Sequence, residues 1–279
     1  MRSSRYYIGL LIVVGLLSSC AQQPEFIDRG NYIAKVIPNK QDAKDCVKYL
    51  VMHYTALDDE RSLKVLTAGR VSSHYLIPTH PSTIDGKPVV ISLVDEKQIA
   101  WHAGVSQWGE ATSLNHCSIG IEIVNLGYRD NGKFRYWYSY TADQIVTISS
   151  VMKDIIERYD IEPQNVLGHS DIAPLRKVDP GPLFPWERLA NQGIGAWPNK
   201  QLVQTYLAGR DPSEPVDVAN FQKLLQQYGY QTPTNGVLDN NAQKVVKAFQ
   251  MHFRSAKANG IPDAQSEAIL MALIEKYRT

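Results

Sequence analysis

The stretch VKYLVMHYTA, residues 47–56, limits the fold of this chain more than any other. It is an almost unbroken apolar run, the pattern of a central strand covered on both faces. Further strand candidates follow in VSSHYLIP (71–78), VVISLV (89–94), SIGIEIVN (118–125) and NVLG (165–168). Between the last two lies TADQIVTISSVMKDIIERYD (141–160), which reads as a helix. Thr141 and Gln144 form a capping box there, and Ile145, Ile148, Met152, Ile155 and Tyr159 recur at helical spacing. Strands alternating with helices predict an α/β domain: a mixed central β-sheet flanked by helices.

Composition changes at GRDPSEPVD (209–217), where two prolines and several charges mark a linker. Beyond it the pattern is helical: Phe221, Leu224, Leu225 and Tyr228, then Val245, Val246 and Phe249, then Ile269, Leu273 and Tyr277. NGVLD (235–239) echoes NGIPD (259–263), each with a turn glycine and an Asp at a helix N-cap position. The expectation is a small C-terminal three-helix domain, residues 211–279, able to fold alone.

At the other end, two arginines precede IGLLIVVGLL (8–17), ten apolar residues. A membrane-spanning helix needs roughly 20, so this is the core of a secretory signal, residues 1–19. It runs into Leu17-Ser18-Ser19-Cys20, which resembles a bacterial lipobox and implies lipidation of Cys20. Lipid would tether the chain to a membrane without spanning it. Gln22, at the second position after the Cys, resembles outer-membrane sorting patterns, so the protein would face the periplasm. Residues 20–44 are polar and read as the tether. Cys46 and Cys117 fit either a pair in an oxidising compartment or two small buried hydrophobes, and no CxxC points to a cysteine metal site. With 29 basic against 28 acidic residues and no basic cluster, nothing here suits a nucleic-acid partner.

Seven histidines remain to be sorted. His53 ends the central strand, where α/β sheets gather ligands, and His169 follows another short strand. Two imidazoles at strand ends suit Zn²⁺, which prefers nitrogen ligands in a tetrahedral shell and leaves one position open in catalytic sites. The loop GHSDIAPLRKVDPGP (168–182) offers Asp171 and Asp179 as third ligand; spacing alone does not choose, and Asp171 also fits a turn cap. In SIGIEIVN, alternation puts Glu122 on a face with Gly120 and Val124. A carboxylate in so apolar a strand is either a buried salt-bridge partner or a general base raised toward neutral pH. Gly120 would let another group approach the backbone closely. His74 reads as a core histidine; His80, His116 and His252 read as surface or packing residues.

VMHYTA, VSSHYLI, AWHAG, SIGIEIVN and GHSDIAPLRKVDPGPLFPW together resemble the zinc-dependent N-acetylmuramoyl-L-alanine amidases, the family of phage amidase lysozymes and peptidoglycan-recognition proteins. The resemblance covers roughly residues 47–197, within an expected catalytic domain of residues 45–210, and implies one Zn²⁺ per chain on His53, His169 and Asp179. It also implies Glu122 as general base and Lys177 as the active-site lysine. Lys177 and Asp179 are two apart in an extended segment and so point the same way. Trp101, His102 and Arg176 are expected on the substrate side. Where phage members carry a catalytic tyrosine, this chain has Ser73, so Glu122 is expected to do that work. The helical part is separately similar to peptidoglycan-binding modules. The implied substrate is peptidoglycan or a muropeptide, acted on by a monomer. The rival functions are a non-catalytic peptidoglycan-binding lipoprotein and a zinc peptidase cutting within the stem peptide.

Overall fold

The structure, a computed structural model, describes residues 25–37, 41–44, 46–132 and 134–278. Cys20 and the rest of the signal lie outside the described residues. Twelve strands are seen among those described: β1 (Phe26–Asp28), β2 (Ile33–Val36), β3 (Tyr49–Tyr54), β4 (Tyr75–Ile77), β5 (Thr83–Ile84), β6 (Lys87–Ser92), β7 (Gln107–Trp108), β8 (Ala111–Thr112), β9 (Ser118–Ile123), β10 (Tyr128–Asp130), β11 (Arg135–Trp137) and β12 (Val166–Gly168). Helices are α1 (Asp59–Thr67), α2 (Ala142–Tyr159), α3 (His169–Ile172), α4 (Trp186–Ala190), α5 (Lys200–Leu207), α6 (Val218–Tyr228), α7 (Asn240–Phe253) and α8 (Ala264–Tyr277).

The main sheet runs β1-β2-β6-β4-β9-β3-β12, with β5 paired to β6. It is mixed: β1 with β2 and β4 with β6 are antiparallel, while β4, β9, β3 and β12 are parallel. The carboxyl ends of those four strands therefore meet along one edge. His53 lies near the end of β3, Glu122 near the end of β9, and His169 immediately after β12. This is the edge at which α/β sheets hold ligands.

Side-chain alternation divides the sheet. Leu50 and Met52 of β3, with Ile119, Ile121 and Ile123 of β9, pack against Ile148, Val151, Met152 and Ile155 of α2. The α2 capping box forms as the sequence predicts. Val51 and Leu167 face the other way, into a cluster with Trp108, Phe221, Leu225, Tyr230, Phe249 and Leu273. The active-site face of the sheet is thus also the face on which the C-terminal helices sit.

Through that shared cluster the C-terminal helical domain packs against the sheet. Trp108 of β7 packs edge-on against Tyr228 and Tyr230, and the boundary at residues 210/211 leaves α5 on the wrong side, because α5 lies along α8. The apolar residues of α6–α8 are numerous enough to look like a core, but part of that surface is finished by the sheet. The NG echo is structural: buried Gln222 and Gln250 each accept from the turn glycine N–H (Gly236, Gly260) and donate to the next residue's carbonyl. Asp239 and Asp263 cap the helices that follow.

A second correction concerns the tether. From Phe26 onward it supplies β1 and β2, with Tyr32, Ile33 and Ala34 buried and β2 parallel to β6. Three adjacent side chains were enough to anchor a segment whose average composition is polar.

Cys46 and Cys117 form a disulfide across a separation of 71 residues. Closing a loop of that length removes unfolded-state entropy worth about 4 kcal/mol in the chain-entropy account. The double substitution of Cys46 and Cys117 by Ser is expected to lower the unfolding free energy by a corresponding amount and to raise m as the unfolded chain expands, read by urea unfolding.

Candidate metal centre and active site

The donors converge on a triangle. His53 Nδ1 lies 2.9 Å from His169 Nδ1, and each lies 3.1 Å from Asp179 Oδ2. All three residues are buried. A tetrahedral ion with bonds of about 2.1 Å holds its ligand atoms about 3.4 Å apart, so these edges need open by only a few tenths of an ångström. Burial raises the Asp179 carboxyl, but His169 and His53 against it outweigh that and hold it well below the usual range. Burial, helped by the neighbouring His169 ring, pushes His53 down to about 4. A carboxylate and a neutral imidazole are the forms that bind a cation.

Backbone interactions set the loop that carries Asp179. Ser170 N–H donates to the Asp179 carbonyl at 2.8 Å, and Tyr140 Oη donates to the Pro180 carbonyl at 2.7 Å across a cis Asp179–Pro180 bond. Lys177, two residues earlier, is close enough to bias both His53 and Glu122 electrostatically.

Glu122 is the register partner of His53 on one side and of Leu76 on the other, so it stands beside the triangle with an apolar neighbour behind it. Its Oε2 is sealed from solvent and has no hydrogen-bond partner. Burial first, and the charge of Asp179 second, push the carboxyl up to about 8, with Lys177 pulling weakly the other way. An unpaired buried oxygen is costly, and beside a cluster of metal-binding donors it makes Glu122 a candidate functional group. The salt-bridge alternative for Glu122 finds no partner among the described residues.

Similarity to known proteins extends over nearly the whole chain. Residues 42–182 match the family described as N-acetylmuramoyl-L-alanine amidase, and residues 214–270 match a putative peptidoglycan-binding domain. N-acetylmuramoyl-L-alanine amidase AmiD of Escherichia coli K12 is 46% identical over 273 residues, 98% of this chain and 99% of that protein. The chain belongs to the N-acetylmuramoyl-L-alanine amidase family. Two solved structures are similar over most of the chain. One is E. coli AmiD in complex with the substrate anhydro-N-acetylmuramic acid-L-Ala-D-gamma-Glu-L-Lys (TM-score 0.81, 47% identity, 91% of this chain and 98% of that one). The other is AmpDh3 of Pseudomonas aeruginosa in complex with anhydromuramic pentapeptide (TM-score 0.75, 41% identity, 91% and 99%).

Within this amidase, three residues expected toward substrate are placed differently from one another. Trp101 keeps an exposed ring edge-on to His116. His102 is buried and turned inward, its Nδ1 3.0 Å from His53 Nε2. Arg176 spends its guanidinium on backbone: Nη2 donates to the carbonyls of Ala103 and Val105, bracing the loop after His102. Ser73 is buried and donates to the Gly120 carbonyl at 2.7 Å, which commits the hydroxyl to structure. His74 is a satisfied core histidine, its Nδ1 accepting from Gly120 N–H, although it precedes β4 and is not within it.

Sequence reasoning missed what Asp171 does. Beyond capping its own turn by accepting from Gly168 N–H, its carboxylate accepts from Tyr230 Oη at 2.7 Å and lies 2.7 Å from His252 Nδ1. Both partners belong to the helical part. A carboxylate two residues from His169 therefore clasps the C-terminal helices to the metal loop. No local pattern announces a contact spanning 59 and 81 residues.

Proposed function

We propose that this chain is a zinc amidase that hydrolyses the amide between N-acetylmuramic acid and L-alanine in peptidoglycan or its fragments. The observation that carries this reading is the His53–His169–Asp179 triangle with the unpartnered Glu122 carboxylate beside it. Family membership and the muropeptide-bound relatives support the substrate class. His53, His169 and Asp179 would hold one Zn²⁺, which would supply Lewis acidity and lower the pKa of a water from 15.7 toward about 7. The Glu122 carboxylate takes the proton of the attacking water and returns it to the departing alanine nitrogen. Lys177 donates to the oxygen that becomes negative as the tetrahedral carbon forms. The products are a free stem peptide and a muramic acid without alanine.

The helical part, residues 211–279, is assigned to holding peptidoglycan, in keeping with the peptidoglycan-binding match. The cell-envelope location follows from that substrate. The lipobox ending in Cys20 supports an outer-membrane lipoprotein facing the periplasm, acting as a monomer. With β1 starting at Phe26, such an anchor would hold the sheet within about 20 Å of the lipid, because an extended chain spans at most ~3.6 Å per residue.

Thorough chelation is expected to stop release of new L-alanine amino termini from sacculi or soluble muropeptides, and added Zn²⁺ to restore it. Mass spectrometry of the digest should show muramic acid carrying no alanine, whereas a stem-peptide peptidase would leave alanine attached. Undiminished turnover without metal would overturn the zinc reading.

A further inference from the structure

The hydrogen-bond directions behind His53 form a chain that can be followed from one fixed end. Ser118 Oγ lies 2.6 Å from the Leu114 carbonyl, which only accepts, so the single hydroxyl proton points there. Toward His102 Nε2, 3.1 Å away, Ser118 can then only accept, which places a proton on that nitrogen. His102 Nδ1 is left with its lone pair facing His53 Nε2 at 3.0 Å, and His53 must donate. A neutral His53 protonated on Nε2 has its Nδ1 lone pair free, and Nδ1 is the atom at the triangle. His169 reaches the same state by a shorter route, Nε2 lying 3.0 Å from the Ala103 carbonyl.

The seat of His102 is built for this ring. A Cβ on Gly120 would stand 2.4 Å from its Cγ, so only glycine leaves room. Asn115 Oδ1 accepts from both the His102 and the Ala103 backbone N–H groups, fixing where the ring starts. Burial first, then the neighbouring imidazoles and Lys44, hold His102 well below the usual imidazole range.

We propose that His102, polarised by Ser118, is a positioning residue that holds His53 in the Nε2-protonated tautomer and so keeps its Nδ1 lone pair available to the metal. The proposal rests on the reading of His53 as a ligand. Partners one layer behind metal ligands govern orientation and basicity, and their loss costs about 10–100-fold in affinity or activity. Without the Ser118 acceptor, His102 is free to carry its proton on Nδ1, which would turn the His53 proton toward the triangle.

The test is Zn²⁺ affinity, measured by competition with a chromophoric chelator on full-length protein, together with imidazole ¹⁵N spectra of the metal-free form. His102→Leu is expected to weaken Zn²⁺ binding by about 10–100-fold, and Ser118→Ala by about 10-fold. His102→Asn, which returns an acceptor oxygen near the Nδ1 position, should recover most of the loss. Relative to wild type, Ser118→Ala should shift the His53 tautomer balance toward protonation on Nδ1. If both His102→Leu and Ser118→Ala bind Zn²⁺ like wild type while His53→Ala does not, His102 only fills space and the proposal is overturned. If His53→Ala also binds normally, the metal-centre reading fails with it. Ser118→Ala removes one buried oxygen and carries the test should His102→Leu not fold.

Discussion

Asp179→Ala is expected to abolish Zn²⁺ binding and amide hydrolysis together, whereas Asp171→Ala is expected to keep the metal and lose stability. The two aspartates share one loop, are both buried and both touch histidines, yet their partners separate them. Asp179 Oδ2 meets His53 and His169 at 3.1 Å each, on ring nitrogens whose opposite nitrogens are already engaged by His102 and the Ala103 carbonyl. Removing it takes away one of three protein donors and leaves a dication with two neutral imidazoles in a buried site. The proteins should be compared by metal content after dialysis and by turnover of a muropeptide. Asp171 instead accepts from Gly168 N–H and Tyr230 Oη and pairs with His252. Its removal strands buried polar groups on both sides of the interface, each costing about 1–3 kcal/mol, so a loss on the order of 3 kcal/mol or more is expected in urea unfolding. Metal loss in Asp171→Ala with full retention in Asp179→Ala would reverse the assignment.

The same pair shows how far this sequence can be read. Strand ends, the capping box of α2 and the N-cap aspartates are local, and local pattern carries them. His53, Glu122 and His169 are legible because each sits at or near a strand terminus, where topology brings unrelated segments together. Asp179 is different: ten residues from His169, it is chosen over Asp171 by how the loop folds back, which spacing does not specify. The resemblance to the amidases supplied it. Gly120 announced a close approach without naming the group; that group is His102, brought back over β9 by the loop that joins them and held there by Asn115 and Ser118. Trp108, Ile172 and Tyr230 look like ordinary apolar residues in sequence and prove to be the seam between sheet and helices. That seam also changes how the helical part can be studied. Deleting residues 217–279 would expose Val51, Leu167 and Trp108, so lost activity after truncation would report unfolding as readily as lost wall binding.

Glu122→Gln is expected to lower kcat by about 10³-fold, within the range for loss of a general base, while Zn²⁺ content stays at one per chain. Gln keeps the size of the side chain and removes only the ability to take a proton, so KM for a muropeptide should move far less than kcat. The same substitution should stabilise the metal-free protein, and the pH dependence of that gain has a fixed sign. In the folded protein burial pushes Glu122 up to about 8 from its ordinary 4.5, so between those values folding takes up a proton. The stability contributed by the protonated carboxyl is complete below about pH 4.5 and is lost as pH rises through 8. Gln is neutral throughout, so the melting temperature of Glu122→Gln should pull ahead of wild type progressively from pH 5 to pH 9. Added Zn²⁺ should narrow that gap, because a dication at the neighbouring triangle favours the charged carboxylate. A variant that lost activity but showed no pH-dependent gain in metal-free stability would mean that Glu122 is solvated in the resting enzyme. The sealed Oε2, without a hydrogen-bond partner, is the observation behind that expectation.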